Sequence, residues 1–251
     1  MIAALGMYDM PQIQAANDRY WALIRAQLGE GPANLTRDAD PWEIWRARGL
    51  VLAQTCGMPY RVSLHDEVTL IGTPDYGLPD CPPGYYCSVF IAHADASGSV
   101  PADFADGVFA YNEALSQSGW AGPMSHLNTL GVKFQHVIPT GAHASSAIAV
   151  AERRADLAGI DALTWTLLCE HDPVAEKLKV VGRTTPAPGL PYITSKTRAH
   201  APIANAIRNA IESLTAQDRK SLHLKGLIDI PKSVYLDVQS PPGPDQNQDS
   251  V

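Results

Sequence analysis

Residues 77–93 read GLPDCPPGYYCSVFIAH, and residues 184–194 read TTPAPGLPYIT. Proline fixes φ and removes a backbone donor, and glycine loosens the chain, so both proline-rich stretches read as linkers. Between them, short apolar runs alternate with amphipathic ones, as in a compact lobe. The chain is therefore expected to leave a first lobe, build a second and return. This places lobe one at residues 1–84 plus 186–239 and lobe two at 85–185. The polar, proline-rich tail at 240–251 has no means of packing a core and is expected to be disordered. Two crossings make a two-strand hinge beside an interlobe cleft, a geometry used to close over a ligand.

Working outward, the apolar runs at 2–7, 49–54, 68–72, 88–93, 108–112, 134–138, 157–160 and 178–181 read as strands. Between them lie helical patterns. Ile13, Ala16, Tyr20, Ile24 and Leu28 share one face, with Gly29 as the stop. Asp40-Pro41 caps a short helix that carries Trp42 and Trp45. Further helices are expected over 143–153 and 162–169, and a last one on Ile203, Ala206, Ile207, Ala210, Ile211 and Leu214. Strands alternating with helices predict a parallel α/β architecture.

Composition narrows the function classes. The chain has 251 residues, 45% of them hydrophobic, which suffices for a sizeable core. Its net charge is −7, and no basic cluster interrupts it, which argues against a nucleic-acid partner. No run approaches the roughly 18–20 apolar residues of a spanning helix, so no membrane insertion is expected. The start, MIAALGMYDMP, lacks a basic n-region and a small-residue cleavage pattern. The expected location is cytoplasmic for the chain as it stands, and periplasmic if a leader has been removed. Cys56, Cys81, Cys87 and Cys169 show no zinc spacing and read as free thiols, with a Cys81–Cys87 bridge as the competing idea. No metal or cofactor is expected.

The sharpest local signal is YNEALSQSGWAGP, residues 111–123. A strand ends near Asn112, and Ser116, Gln117, Ser118 and Gly119 follow just before a helix. A helix start leaves N–H groups unpaired and carries partial positive charge. Gly119 admits close approach, and Ser116 and Ser118 add hydroxyls, so the loop suits a tetrahedral oxyanion. The plainer reading makes Ser118 an N-cap. His143 opens a helix where α/β sheets bind ligands, either as a donor to an oxyanion or as a surface cap. Asp161 ends the next strand, either as an N-cap or as the partner of a ligand ammonium or a protonated phosphonate oxygen. From lobe one, Tyr8, the run Thr55-Cys56-Gly57 with Tyr60, and Tyr76 follow strand ends and should ring one end of a sheet. Each tyrosine taken alone is more often a packing residue with a wet tip.

These pieces carry a resemblance. In order, they are the first strand loop with Tyr8, QTCGMPY, SVFIAHADA with DFADGVFAYN, SQSGW, GAHASSAIAVAERRADLAGID and PGLPYIT. Over roughly residues 2–215 the chain resembles the phosphonate- or phosphate-binding components of ABC importers, which have the type II periplasmic-binding-protein fold. The resemblance implies an α/β two-lobed protein that clamps a small oxyanion for an ABC permease. Ser116, Ser118 and Gly119 would bind the phosphonate oxygens, with His143, Asp161, Tyr8 and Tyr60 at matching positions; Gln117 interrupts the family's Ser/Thr cluster. Two other readings stand beside it. One is a leaderless cytoplasmic sensor of the same ligand. The other is a lyase- or dehydratase-like enzyme on this fold that uses His143 and Asp161. No GxSxG elbow or HExxH motif supports an enzyme, and the expected function is binding.

Overall fold

The computed structural model describes residues 1–244. The described chain forms two compact units, Met1–Tyr85 with Pro188–Asp237, and Tyr86–Ala187 with residues 238–244. In chain order the strands are β1 (Ile2–Ala4), β2 (Leu50–Gln54), β3 (Val68–Asp75), β4 (Tyr85–Tyr86), β5 (Ser88–His93), β6 (Val108–Tyr111), β7 (His136–Pro139), β8 (Leu157–Asp161), β9 (Leu178–Arg183), β10 (Ala187–Pro188), β11 (Tyr192–Ser195) and β12 (Gly226–Ile228). The two crossing segments pair with each other as the ribbon β10–β4.

In the first unit the strand order is β1-β2-β11-β3-β12. The helix Gln14–Leu28 packs on the helix His200–Ser213. The first buries Ala16, Tyr20 and Ile24, and the second buries Ile203, Ala206, Ile207, Ala210 and Ile211, as their periodicities predict. Gly29 ends the first helix at φ 69°, donating its N–H to Arg25. The Asp40 carboxylate accepts from the N–H groups of Trp42 and Glu43 at 2.9 and 3.2 Å. Both stops were legible because each depends on a single residue type.

The second unit orders its strands β7-β6-β8-β5-β9. Its core gathers Phe90, Phe109, Tyr111, Trp120, Met124, Leu127, Phe134 and Leu157. Here the expectation of parallel architecture is corrected. β6 runs parallel to β7 and β8, but β5 is antiparallel to β8 and β9. In the first unit β1 and β2 are parallel, and β11 is antiparallel to β2 and β3. β12 is antiparallel to β3 as well, whereas β5 and β11 are each the first sheet strand after a crossing. A helical crossover is what sets consecutive strands parallel, and these two strands enter their sheets without one. β11 and β12 also escaped the sequence reading, because they are short and follow proline or glycine.

Two expectations change, one in the core and one in the tail, while that for the cysteines holds. Tyr60, expected to face a ligand, is 1% exposed and lies edge-on to Tyr235 at 5.2 Å. It packs with Trp45, Leu50, Leu64 and Ile193, because the helix Gly57–Val62 turns it toward the sheet. In the tail, Pro244 is buried, and the Pro242 carbonyl accepts from Trp120 Nε1 at 2.9 Å, so residues 240–244 are not the unstructured segment expected. The remainder of that expectation, residues 245–251, lies outside the described residues. None of Cys56, Cys81, Cys87 and Cys169 is in a disulfide.

The burial of Tyr60 sets the first prediction. Tyr60→Ala should lower unfolding stability by ~3–5 kcal/mol in denaturant titration. Tyr60→Phe should leave ligand affinity unchanged, and a loss of affinity in a well-folded Tyr60→Phe would return Tyr60 to the site.

Candidate functional site

In the second unit the parallel pairings of β6 with β7 and β8 bring three strand ends to one edge of the sheet: Pro139, Tyr111 and Asp161. A helix start follows each. After β6 comes a wide turn, Gln117–Ala121, that runs into the helix Gly122–Thr129. After β7 comes the helix His143–Ala151, and after β8 the helix Ala162–His171. Three sets of N-terminal N–H groups therefore share this edge, a favourable field for an anion.

The capping role falls to Ser116, not Ser118. Ser116 Oγ accepts from Gly119 N at 3.0 Å, and the Ser116 carbonyl accepts from Trp120 N and Ala121 N at 3.2 and 3.0 Å. This leaves Ser118 Oγ free to meet His143 Nε2 at 2.8 Å, across 25 residues of sequence. The loop before His143 is tied to the end of β6. Thr140 N donates to the Tyr111 carbonyl and Gly141 N to the Asn112 carbonyl, both at 2.9 Å, and Thr140 Oγ1 meets Ser146 Oγ at 2.7 Å. Gly119 has to be glycine, since a Cβ there would collide with Asn112 Oδ1. Trp120 anchors the turn from below, fully buried and 4.9 Å from Tyr111.

Burial pushes the His143 imidazole down to about 4, against an opposing backbone hydrogen bond at Gly159. It is therefore neutral near pH 7, with one N–H donor and one acceptor. Ser116, Gln117 and Ser118 are all buried. Asp161 takes its plainer role: Oδ1 accepts from Leu163 N and Thr164 N at 2.8 and 3.0 Å and caps its helix.

The first unit gathers a second group at the ends of β2 and β3 and the start of β11. Tyr8 lies edge-on to Tyr76 at 5.2 Å. Gln54 Nε2 donates to Tyr76 Oη at 3.0 Å and to the Leu190 carbonyl at 3.1 Å. Tyr20 and Tyr192 complete the group; burial raises both phenols well above their ordinary range, and Tyr192 interacts with the hydroxyls of Tyr20 and Tyr76. Thr55 is fully buried, with its N–H on the Pro191 carbonyl at 3.1 Å, and Cys56 and Gly57 follow it into the start of a short helix. Tyr20 and Tyr192 went unassigned in the sequence, and Gln54 was noted there only as the head of the run QTCGMPY. Tyr20 reads as part of a helix face, and Tyr192 looks like linker until β11 is seen to be a central strand. A cavity of about 260 Å³ in this unit is lined by Met7, Asp9, Gln14, Arg37, Trp45 and Gln54 among others. Among the described residues, no cluster of three His, Cys, Asp or Glu could hold a metal ion, and no helix is long and apolar enough to cross a membrane.

Residues 52–233 match the family described as the periplasmic substrate-binding protein of phosphonate ABC transporters. No curated protein matches the sequence at a significant level. Several solved structures share the fold. A binding-protein component of an ABC phosphonate transporter from Pseudomonas aeruginosa superposes with a TM-score of 0.71 at 17% identity, covering 93% of this chain and 83% of that one. PhnD1 from Prochlorococcus marinus, in complex with methylphosphonate, gives 0.70 at 15% identity, covering 93% and 94%. MatC from Rhodopseudomonas palustris, with bound malate, gives 0.60 at 11% identity, covering 91% and 89%.

The lowered His143 pKa carries a pH signature. Below its ordinary value of 6.5 the unfolded chain takes up a proton that the folded one refuses down to about 4. This contribution to stability is therefore complete above pH 6.5 and is lost as pH falls toward 4, by up to about 3 kcal/mol. Chemical denaturation of wild type and His143→Gln across that window should show a shallower slope in the variant. Parallel slopes would mean that the imidazole titrates normally.

Proposed function

The chain belongs to the family of periplasmic substrate-binding proteins of phosphonate ABC transporters, and from that membership we propose that its own ligand is a phosphonate or a closely related tetrahedral oxyanion. The oxyanion would be held on the Ser116–Gly119 turn and His143, and delivered to a permease. Tyr8 and Tyr76 are proposed as further ligand-binding residues.

One observation carries the assignment. Ser116 takes the helix cap, so Ser118 Oγ remains available beside His143 Nε2 at 2.8 Å. The two share one hydrogen bond, so with Nε2 as its donor the Ser118 O–H is left for a ligand, at a helix start where unpaired N–H groups already favour an anion. A neutral imidazole can offer its N–H and leaves the anion's charge to the backbone dipoles. The same features favour binding over a lyase. An imidazole held down to about 4 is a weak base at neutral pH. Asp161, its proposed partner, spends Oδ1 on two backbone N–H groups.

Isothermal titration calorimetry tests this with phosphate, methylphosphonate, 2-aminoethylphosphonate, sulfate and a small sulfonate. Saturable binding of a phosphonate is expected, and preference for the amino form would give Asp161 a ligand role beyond its cap. Ser118→Ala should weaken binding by ~1–3 kcal/mol with its melting transition intact. Tyr8→Ala should weaken it too, and unchanged affinity there would remove the first unit from the site. Silence across the whole panel, on folded and ligand-free protein, would defeat the oxyanion reading.

A further inference from the structure

Asn112 stands at the end of β6, between the turn that carries Ser118 and the loop that launches His143. Its carbonyl accepts from Gly141 N at 2.9 Å, which fixes it to the His143 loop. Its side chain lies against Gly119, at the place a Cβ would need. The two segments that supply the oxyanion donors therefore meet on this one residue.

The carboxamide is polarised by its surroundings. Oδ1 is enclosed and has no hydrogen-bond donor. The residue as a whole is nonetheless partly exposed. Leaving a carbonyl oxygen buried and unpaired costs about 1–3 kcal/mol, and a hydrophobic residue of the same shape would avoid that cost. The Cα–H of Gly119 is a weak donor suited to an oxygen and unsuited to an NH₂ group, which sets the orientation of the amide. Oδ1 packs on Gly119, and Nδ2 is left as the polar end on the exposed side.

We propose that Asn112 is a ligand-reading residue of the oxyanion site, whose Nδ2 donates a hydrogen bond to an oxygen of the bound ligand beside Ser118 and His143. The proposal rests on the oxyanion reading of that site. It also gives the site a selectivity. Asn112, Ser118 and His143 lie on three separate segments; the hydrogen-bonded Ser118–His143 pair has one donor left for a ligand, and Asn112 Nδ2 supplies another. A tetrahedral phosphonate presents three oxygens out of one plane to donors approaching from separate segments, whereas a carboxylate presents two oxygens in a single plane. The site should therefore prefer methylphosphonate to acetate, and Asn112 should carry part of that preference.

Calorimetry with methylphosphonate and acetate tests this on wild type, Asn112→Leu and Asn112→Asp. Asn112→Leu keeps the shape and removes the donor. It should weaken methylphosphonate binding ~10-fold or more and shrink the preference over acetate. Asn112→Asp replaces the donor with a carboxylate and should weaken binding further at neutral pH, with recovery as pH falls. A second readout follows wild type itself. In a ¹⁵N spectrum of wild type, the Asn112 side-chain amide peak, identified by its absence in Asn112→Asp, should move on addition of methylphosphonate. An unmoved peak, or Asn112→Leu binding within twofold of wild type while Ser118→Ala loses affinity, overturns the role of Asn112 alone. Absence of any binding to wild type overturns it together with the oxyanion reading.

Discussion

The hydrogen bond from Gly119 N to Ser116 Oγ, 3.0 Å long, organises the second unit's functional edge. A helix start must find partners for N–H groups that have none within the helix. Ser116 meets that demand twice, with its hydroxyl for Gly119 and its carbonyl for Trp120 and Ala121. With the cap filled two residues earlier, Ser118 is released from the usual duty of a serine before a helix and can face His143. The wide turn is then locked from behind. Trp120 is fully buried beside Tyr111, and its indole N–H is held by the Pro242 carbonyl. Donors that are fixed before a ligand arrives have little ordering entropy left to lose on binding.

The direction of the entering strands explains which residues collect at each edge. Because β11 runs antiparallel to β2, its first residue, Tyr192, pairs with the last residue of β2, Gln54. A strand that begins where its neighbour ends adds its leading residue to the edge where the parallel strands finish. Tyr192 thereby joins Gln54, Tyr76 and Tyr8. The second unit repeats the logic with Ser88 of β5, which pairs with Asp161 of β8. Both units place an entering strand beside the C-terminal end of a strand that carries site residues, and the mixed sheets are part of how the sites are built.

Much of this was legible residue by residue. Gly29 and Asp40 announce helix boundaries because a left-handed stop and a carboxylate cap depend on one side chain each. The serine-rich loop and His143 announce themselves by falling at strand ends. Tyr60 misled because it follows a strand end as closely as Tyr8 does; only the rotation of the short helix Gly57–Val62 decides that it faces Trp45 and Tyr235. Asn112 gave no signal, since an asparagine ending a strand is ordinary until its buried oxygen and its contact with Gly119 are seen.

The sequence by itself determined the division into two units, the positions of most strands and helices, and the loops that follow the strand ends. These follow from local preferences: proline and glycine in the crossings, apolar periodicity, and cap residues. Only the tertiary structure decided the direction of β5 and β11, the choice of Ser116 over Ser118 as the cap, the meeting of Ser118 with His143, and the fate of each tyrosine. Those outcomes depend on which distant segments compete for the same N–H, the same space or the same sheet edge, and such competition among distant segments leaves no local mark in the chain.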